Sequence, residues 1–157
     1  SVVPFFREKI KNKVKSLPIT DPRMTRFWIT LDQGVYFVLT NFSRMQGGEI
    51  FVPKLPSIKI TDLAFAMAST LKQNIVGIRP GEKLHEVMCP RDEAHLTVEF
   101  KDYFIITPTI QFNKKVNFKV NSLNEKGKLV KNDFEYNSEN NQNFLNVNSI
   151  DKILADY

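Results

Sequence analysis

Apolar residues recur at every fourth position at Phe6, Ile10 and Val14, with Arg7, Lys9, Lys11, Lys13 and Lys15 filling positions between them. That spacing predicts a helix over Pro4–Val14 with one buried face, Pro4 in its first turn and its lysines outward. Leu17-Pro18-Ile19-Thr20 reads as a short extended piece, because Pro18 biases Leu17 away from helix. Asp21-Pro22 marks a turn, and Met24–Ile29 reads as a strand of β-formers. Thr30 and Gln33 have the spacing of a capping box. The helix they open carries Leu31, Val35, Val38, Leu39 and Phe42 and stops before Gly47-Gly48. A short strand over Glu49–Val52 is ended by Pro53. Thr61 is the predicted cap of a helix from Asp62 to about Thr70, and Gln73–Ile78 follows as a strand. Helix and strand thus alternate to about residue 80, an α/β pattern.

Beyond Pro90 the pattern changes. His95–Phe100 and Tyr103–Thr107 read as two strands of a hairpin around Lys101-Asp102. From Asn113 the chain turns rich in Asn and Lys, with Phe134-Glu135-Tyr136 as its clear apolar anchor. Asn137–Asn143 is a polar loop, and Ser149 is the predicted cap of a last helix through Ala155.

Length and composition narrow the classes. At 157 residues the chain suits one core rather than two. No apolar run reaches the ~18 residues that a membrane span needs, and nothing near Ser1 resembles a signal peptide. The single cysteine, Cys89, excludes an internal disulfide and fits a reducing, cytoplasmic setting as a bystander thiol. Net charge is +5, concentrated before residue 17. A solvated helix face accounts for it. With no aromatic–basic interleave, zinc spacing or helix-turn-helix pattern, nucleic acid is not the expected partner.

The candidate chemistry lies in Arg79-Pro80-Gly81-Glu82-Lys83-Leu84-His85-Glu86, together with Met24-Thr25-Arg26-Phe27-Trp28. An arginine where a strand breaks into a turn can aim its fork at a phosphate. A carboxylate three residues later can accept hydrogen bonds from sugar hydroxyls. The combination points to a nucleoside diphosphate. Each residue also has a plain structural reading. Arg26 could form an ion pair with a carboxylate such as Asp32, Arg79 could serve its turn, and Glu82 could be an acid at a helix start. The His85-Glu86 pair is not a metal site, since no second histidine follows at helical spacing.

Five motifs occur in one order: Ser1-Val2-Val3-Pro4-Phe5-Phe6, Leu17-Pro18-Ile19-Thr20-Asp21, Met24-Thr25-Arg26-Phe27-Trp28, Gly47-Gly48-Glu49-Ile50-Phe51-Val52-Pro53 and the Arg79–Glu86 run. In that order the chain resembles the C-terminal half of inverting UDP-N-acetylglucosamine 4,6-dehydratases. These are extended short-chain dehydrogenase/reductases of the CapD-like polysaccharide-biosynthesis group, including the enzyme that begins pseudaminic acid synthesis. The resemblance implies an α/β substrate-binding portion without the N-terminal Rossmann core. Residues 1–112 would be the UDP-binding portion and residues 113–157 a partly irregular extension. It implies diphosphate contacts from Arg26 and Arg79, a ribose acceptor in Glu82, uracil-lining groups at Thr20 and Val2, and a sugar-side position for Glu86 and His85.

The same resemblance implies a cytoplasmic hydro-lyase, a homo-oligomer when complete, that uses NADP to oxidise C4, lose water across C5–C6 and return hydride. This chain has neither the glycine-rich fingerprint nor a Tyr-x-x-x-Lys pair. It is therefore expected to begin near the middle of a typical member, to hold no cofactor or catalytic residue, and to be inactive alone. It is also expected to leave apolar surface uncovered where a Rossmann half would pack. The other readings are a non-catalytic UDP-sugar binding module, a related UDP-sugar epimerase portion and, more remotely, a basic nucleic-acid binder.

Overall fold

The structure is a computed structural model describing residues 2–110 and 116–155. The expected functional boundary at 112/113 falls outside the described residues. Where length suggested one core, the chain forms two compact units, because it leaves the first unit and returns to it twice. One unit is Ser1–Trp28, Pro56–Glu86 and Ser138–Tyr157; the other is Ile29–Leu55 and Val87–Asn137.

The first unit contains α1 (Val2–Lys11), β1 (Ser16–Ile19), β2 (Thr25–Phe27), β4 (Ser57–Lys59), α3 (Ile60–Met67), β5 (Lys72–Ile75) and α4 (Val147–Ala155). Helix α1 buries Val3 and Phe6, with Ile10 and Val14 packed beside them, so the four-residue spacing does select the inner face. It ends in a Schellman-type turn. The Val14 and Lys13 N–H groups donate to the Lys9 and Ile10 carbonyls, and Lys13 takes the left-handed conformation at φ 53°.

Strands β1 and β5 pair in parallel, Ile19 opposite Ile75. Strands β2 and β4 pair antiparallel, with Arg26 opposite Ile58. Phe6, Leu17, Ile19, Ile58, Leu63 and Ile150 close the core almost completely. Helix α3 begins two residues earlier than the Thr61 cap predicts. Its N-cap is Lys59, with no side-chain bond, because Ile60 is drawn into the core and its N–H donates to the Met24 carbonyl. Helix α4 likewise starts before Ser149. The Asn146 side chain accepts from the Ser149 N–H and so supplies the cap.

The second unit has α2 (Leu31–Phe42), β3 (Ile50–Pro53), β6 (Val87–Cys89), β7 (Thr97–Glu99), β8 (Tyr103–Ile106), β9 (Lys128–Leu129) and β10 (Tyr136–Asn137). Its antiparallel sheet has the order β3-β8-β7-β9, and β6 pairs with β10. The expected hairpin is β7–β8, although His95 and Leu96 belong to a 3₁₀ turn rather than the strand. Val98, Phe100, Tyr103, Ile105 and Phe118 form the core. The Arg44 guanidinium grips Glu125 at 2.8 and 3.1 Å and lies over the Tyr103 ring. Cys89 is fully buried, and burial pushes its thiol up to about 12, which makes it a poor nucleophile.

Helix α2 has the predicted capping box, with Thr30 accepting from Gln33 N–H and Gln33 reaching back. Its apolar stripe nevertheless faces outward. Leu31, Val35, Val38, Leu39 and Phe42 are all at least half exposed, whereas Phe37 and Asn41 point inward. An uncovered stripe of this kind matches the apolar surface expected from the sequence.

Candidate functional site

The parallel pairing of β1 and β5 brings the ends of both strands to one edge of the first unit. Thr20 follows β1 there, and Val76 follows β5, its N–H donating to the Ile19 carbonyl at 2.9 Å. From that point the chain runs without helix or strand to β6. Arg79-Pro80-Gly81-Glu82 forms a type II turn. Pro80 occupies its second position, Gly81 its third at φ +83°, and the Glu82 N–H closes onto the Arg79 carbonyl at 3.1 Å. The Glu82 carboxylate folds back to accept the Arg79 N–H at 3.0 Å. The turn thus ties the Glu82 carboxylate to the Arg79 backbone. No protein group among the described residues is bonded to the Arg79 guanidinium.

A cavity of about 370 Å³ opens beside this turn. Val2, Thr20, Arg26, Arg79 and Glu82 line it, so five of the seven residues given a site role above converge, and His85 and Glu86 are not among them. Phe5, Phe6, Met24 and Ile60 supply an apolar wall between α1, β2 and α3. One region is therefore cationic, with an adjacent carboxylate, and another is flat and apolar. This suits a ligand with a charged group, hydroxyls and a ring.

Glu86 does not line the cavity. Its carboxylate stands 3.3 Å from Nε of Arg26, so the carboxylate in the plain structural reading of that arginine, for which Asp32 served as the example, is Glu86. Arg26 is also bonded to three backbone carbonyls. Nη1 donates to Thr25 O at 2.6 Å and Leu84 O at 3.0 Å, and Nη2 donates to Lys83 O at 2.9 Å.

Behind Arg26 lies a polar network that the sequence did not disclose. Thr25 Oγ1 is 2.8 Å from His85 Nδ1 and 2.7 Å from Ser138 Oγ. Ser138, fully buried, accepts the Glu86 N–H through its hydroxyl, and its own N–H donates to the Glu86 carbonyl. His85 Nε2 is 3.5 Å from Glu139. Thr25 could have been suspected from its place beside Arg26, but a lone serine in an Asn-rich stretch carries no signal. Asp21, next to Thr20, is held at about 2 by hydrogen bonds from the Arg23 guanidinium and backbone N–H. Among the described residues no group of three His, Cys, Asp or Glu is placed to hold a metal ion.

Comparison with known proteins identifies the family. Residues 1–108 match the family described as "Polysaccharide biosynthesis protein". A Campylobacter jejuni protein named UDP-N-acetylglucosamine 4,6-dehydratase (inverting) is 60% identical over 142 residues, covering 90% of this chain and 42% of that relative. A UDP-glucose 4-epimerase of Rickettsia canadensis is 37% identical over 110 residues, 68% of this chain and 32% of the relative. The X-ray structure of Pen from Bacillus thuringiensis superimposes with a TM-score of 0.77 at 28% identity, covering 99% of this chain and 44% of that one. The chain spans less than half the length of these relatives. It belongs to the polysaccharide biosynthesis protein family.

Proposed function

We propose that this chain is the substrate-gripping portion of a UDP-N-acetylglucosamine 4,6-dehydratase of the inverting type, a hydro-lyase of nucleotide-sugar and surface-glycan synthesis. The observation that carries the reading is that one cavity is lined by Arg26, Arg79, Glu82, Thr20 and Val2 together. In it Arg79 and Arg26 form the cationic side facing the diphosphate, Glu82 accepts from the ribose hydroxyls, and the base lies against the apolar wall near Thr20 and Val2. These ligand-facing residues all fall within residues 1–112, the proposed nucleotide-binding portion; residues 113–157 are the extension.

The residues of this chain do not fit a nicotinamide dinucleotide. Its glycines form no fingerprint, and the left-handed ones, Gly47, Gly48, Gly77 and Gly81, lie outside helices and strands. NADP and the redox chemistry it supplies accordingly belong to the remaining length of the full protein, and no step through the cofactor is assigned here. This chain's part is to bind and orient the UDP half of the substrate, so alone it turns nothing over. No described helix is long and apolar enough to cross a membrane, and a cytoplasmic homo-oligomer is part of the proposal.

The test is mass spectrometry of the full-length protein incubated with UDP-N-acetylglucosamine. The reading predicts a product lighter by one water. An isomer of unchanged mass would favour the epimerase reading, which the Rickettsia similarity supports. UDP binding without any conversion would favour a binding module.

A further inference from the structure

We propose that Ser138 is a positioning residue of this site: with Thr25 and His85 it forms a one-way hydrogen-bond chain that fixes the Glu86 backbone and, through the Glu86 carboxylate, the cavity-lining Arg26. The inference rests on the UDP-binding reading above and brings the stretch after residue 112 into the support of that site. Thr25, His85, Glu86, Ser138 and Glu139 all belong to the first unit. Ser138 is fully buried, and Thr25 is nearly so. A buried hydroxyl needs an acceptor for its proton as well as donors for its lone pairs.

The direction of the chain follows from its first link. Ser138 Oγ accepts the Glu86 N–H at 2.9 Å, so its own proton must go elsewhere. Among the described residues its other partner is Thr25 Oγ1 at 2.7 Å, and the serine donates to it. The Thr25 proton then points to His85 Nδ1 at 2.8 Å, which accepts. That places the ring proton on Nε2, the nitrogen that faces the Glu139 carboxylate at 3.5 Å. Reversing the serine–threonine link would leave the Ser138 proton buried without an acceptor, which is costly.

The chain ends on backbone that serves the cavity. Ser138 and Glu86 are tied twice, since the Ser138 N–H also donates to the Glu86 carbonyl at 2.8 Å. Glu86 closes the segment 76–86, which carries Arg79 and Glu82 yet has no helix or strand of its own. Its carboxylate forms the ion pair with Arg26 at 3.3 Å. Thr25 adjoins Arg26 on β2, and its N–H donates to the Leu84 carbonyl at 3.0 Å. Arg26 is therefore held from two sides, through its neighbour in the strand and through its paired carboxylate, and Ser138 joins the two.

Thr25→Val keeps the shape of the side chain and removes its hydroxyl, whereas Thr25→Ser keeps the hydroxyl. UDP is titrated by calorimetry into full-length wild type, both Thr25 variants, Ser138→Ala and the double variant Thr25→Val/Ser138→Ala, each well below its melting temperature. Thr25→Val and Ser138→Ala are each expected to weaken UDP about three- to tenfold, with Thr25→Ser within about twofold of wild type. The double variant is expected to be no weaker than the worse single one, because one break already opens the chain. NMR of the imidazole nitrogens in the wild type, at a pH well above the ordinary histidine value of about 6.5, is expected to show the His85 proton on Nε2. If Thr25→Val fails to fold, Ser138→Ala and the wild-type NMR carry the test. A proton on Nδ1 overturns the proposal, as do unchanged UDP affinity in the folded Thr25→Val or Ser138→Ala protein, losses that multiply in the double variant, or a Thr25→Ser protein as weak as Thr25→Val. Failure of the underlying reading looks different: His85 has the expected tautomer while wild type binds no UDP, or Arg79→Ala binds UDP like wild type.

Discussion

Replacing Gly81 by alanine isolates the geometry of the turn from everything else in the site. Gly81 sits at φ +83°, and a Cβ built there meets no atom within 4 Å. The substitution therefore introduces no clash. Its cost is conformational, about 1–2 kcal/mol for an L-residue held left-handed. Because the turn is exposed, the chain can relax to a type I turn, and global stability should change by no more than about 0.5 kcal/mol. Binding is another matter. A type I turn changes how Arg79 and Glu82 are presented to the cavity that both line, so the competent population falls and apparent affinity falls with it. The expected loss for UDP is about five- to thirtyfold. Asparagine tolerates this conformation better than alanine, so Gly81→Asn should lie between wild type and Gly81→Ala. Calorimetric titration of UDP into the full-length variants, beside their melting curves, measures both quantities. Wild-type affinity in Gly81→Ala would refute the argument, as would an asparagine variant weaker than the alanine one.

Three further predictions concern the two units. Gly127→Ala should lower stability by about 1–3 kcal/mol in denaturant unfolding, because its Cβ would lie 2.7 Å from Val98 Cγ1 and 2.8 Å from Phe100 Cε2; an unchanged midpoint would contradict that packing. The Asp21 carboxyl should titrate by NMR near 2 instead of its ordinary 3.8, and Arg23→Ala should return it toward 3.8. Since the folded value is the lower one, the stability from this pair is complete above about pH 3.8 and lost as pH falls through about 2. The isolated chain should self-associate through the exposed stripe of α2, and Leu39→Glu should reduce that in analytical ultracentrifugation; a clean monomer before substitution would count against it.

Local rules that act within a few residues were legible in the sequence. The Thr30–Gln33 box, the face of α1 and the Pro80-Gly81 turn were found at their positions, because each is specified by neighbouring residues alone. Strands β4, β6, β9 and β10 were not found, since two or three residues are too few to show a period. The starts of α3 and α4 were misplaced where tertiary burial of Ile60 and the Asn146 side chain outweighed the nearest capping residue. In the site, the charged residues stood out but the acceptors did not. Arg26 is held mainly by the carbonyls of Thr25, Lys83 and Leu84, and every residue type has a carbonyl. Ser138 reaches Thr25 and Glu86 from far along the chain, through a return that no local pattern announces.

The central claim is that the cavity beside the Arg79–Glu82 turn grips the UDP half of the substrate. Charge-assisted hydrogen bonds contribute about 1.5–3 kcal/mol each, so Arg79→Ala should weaken UDP about ten- to a hundredfold. The most direct measurement is a crystal structure of the full-length protein with UDP bound. The account predicts the diphosphate on the Arg79 guanidinium, the ribose hydroxyls on Glu82, and the base against Phe5, Met24 and Ile60. A UDP bound elsewhere, with this cavity holding only solvent, would contradict it.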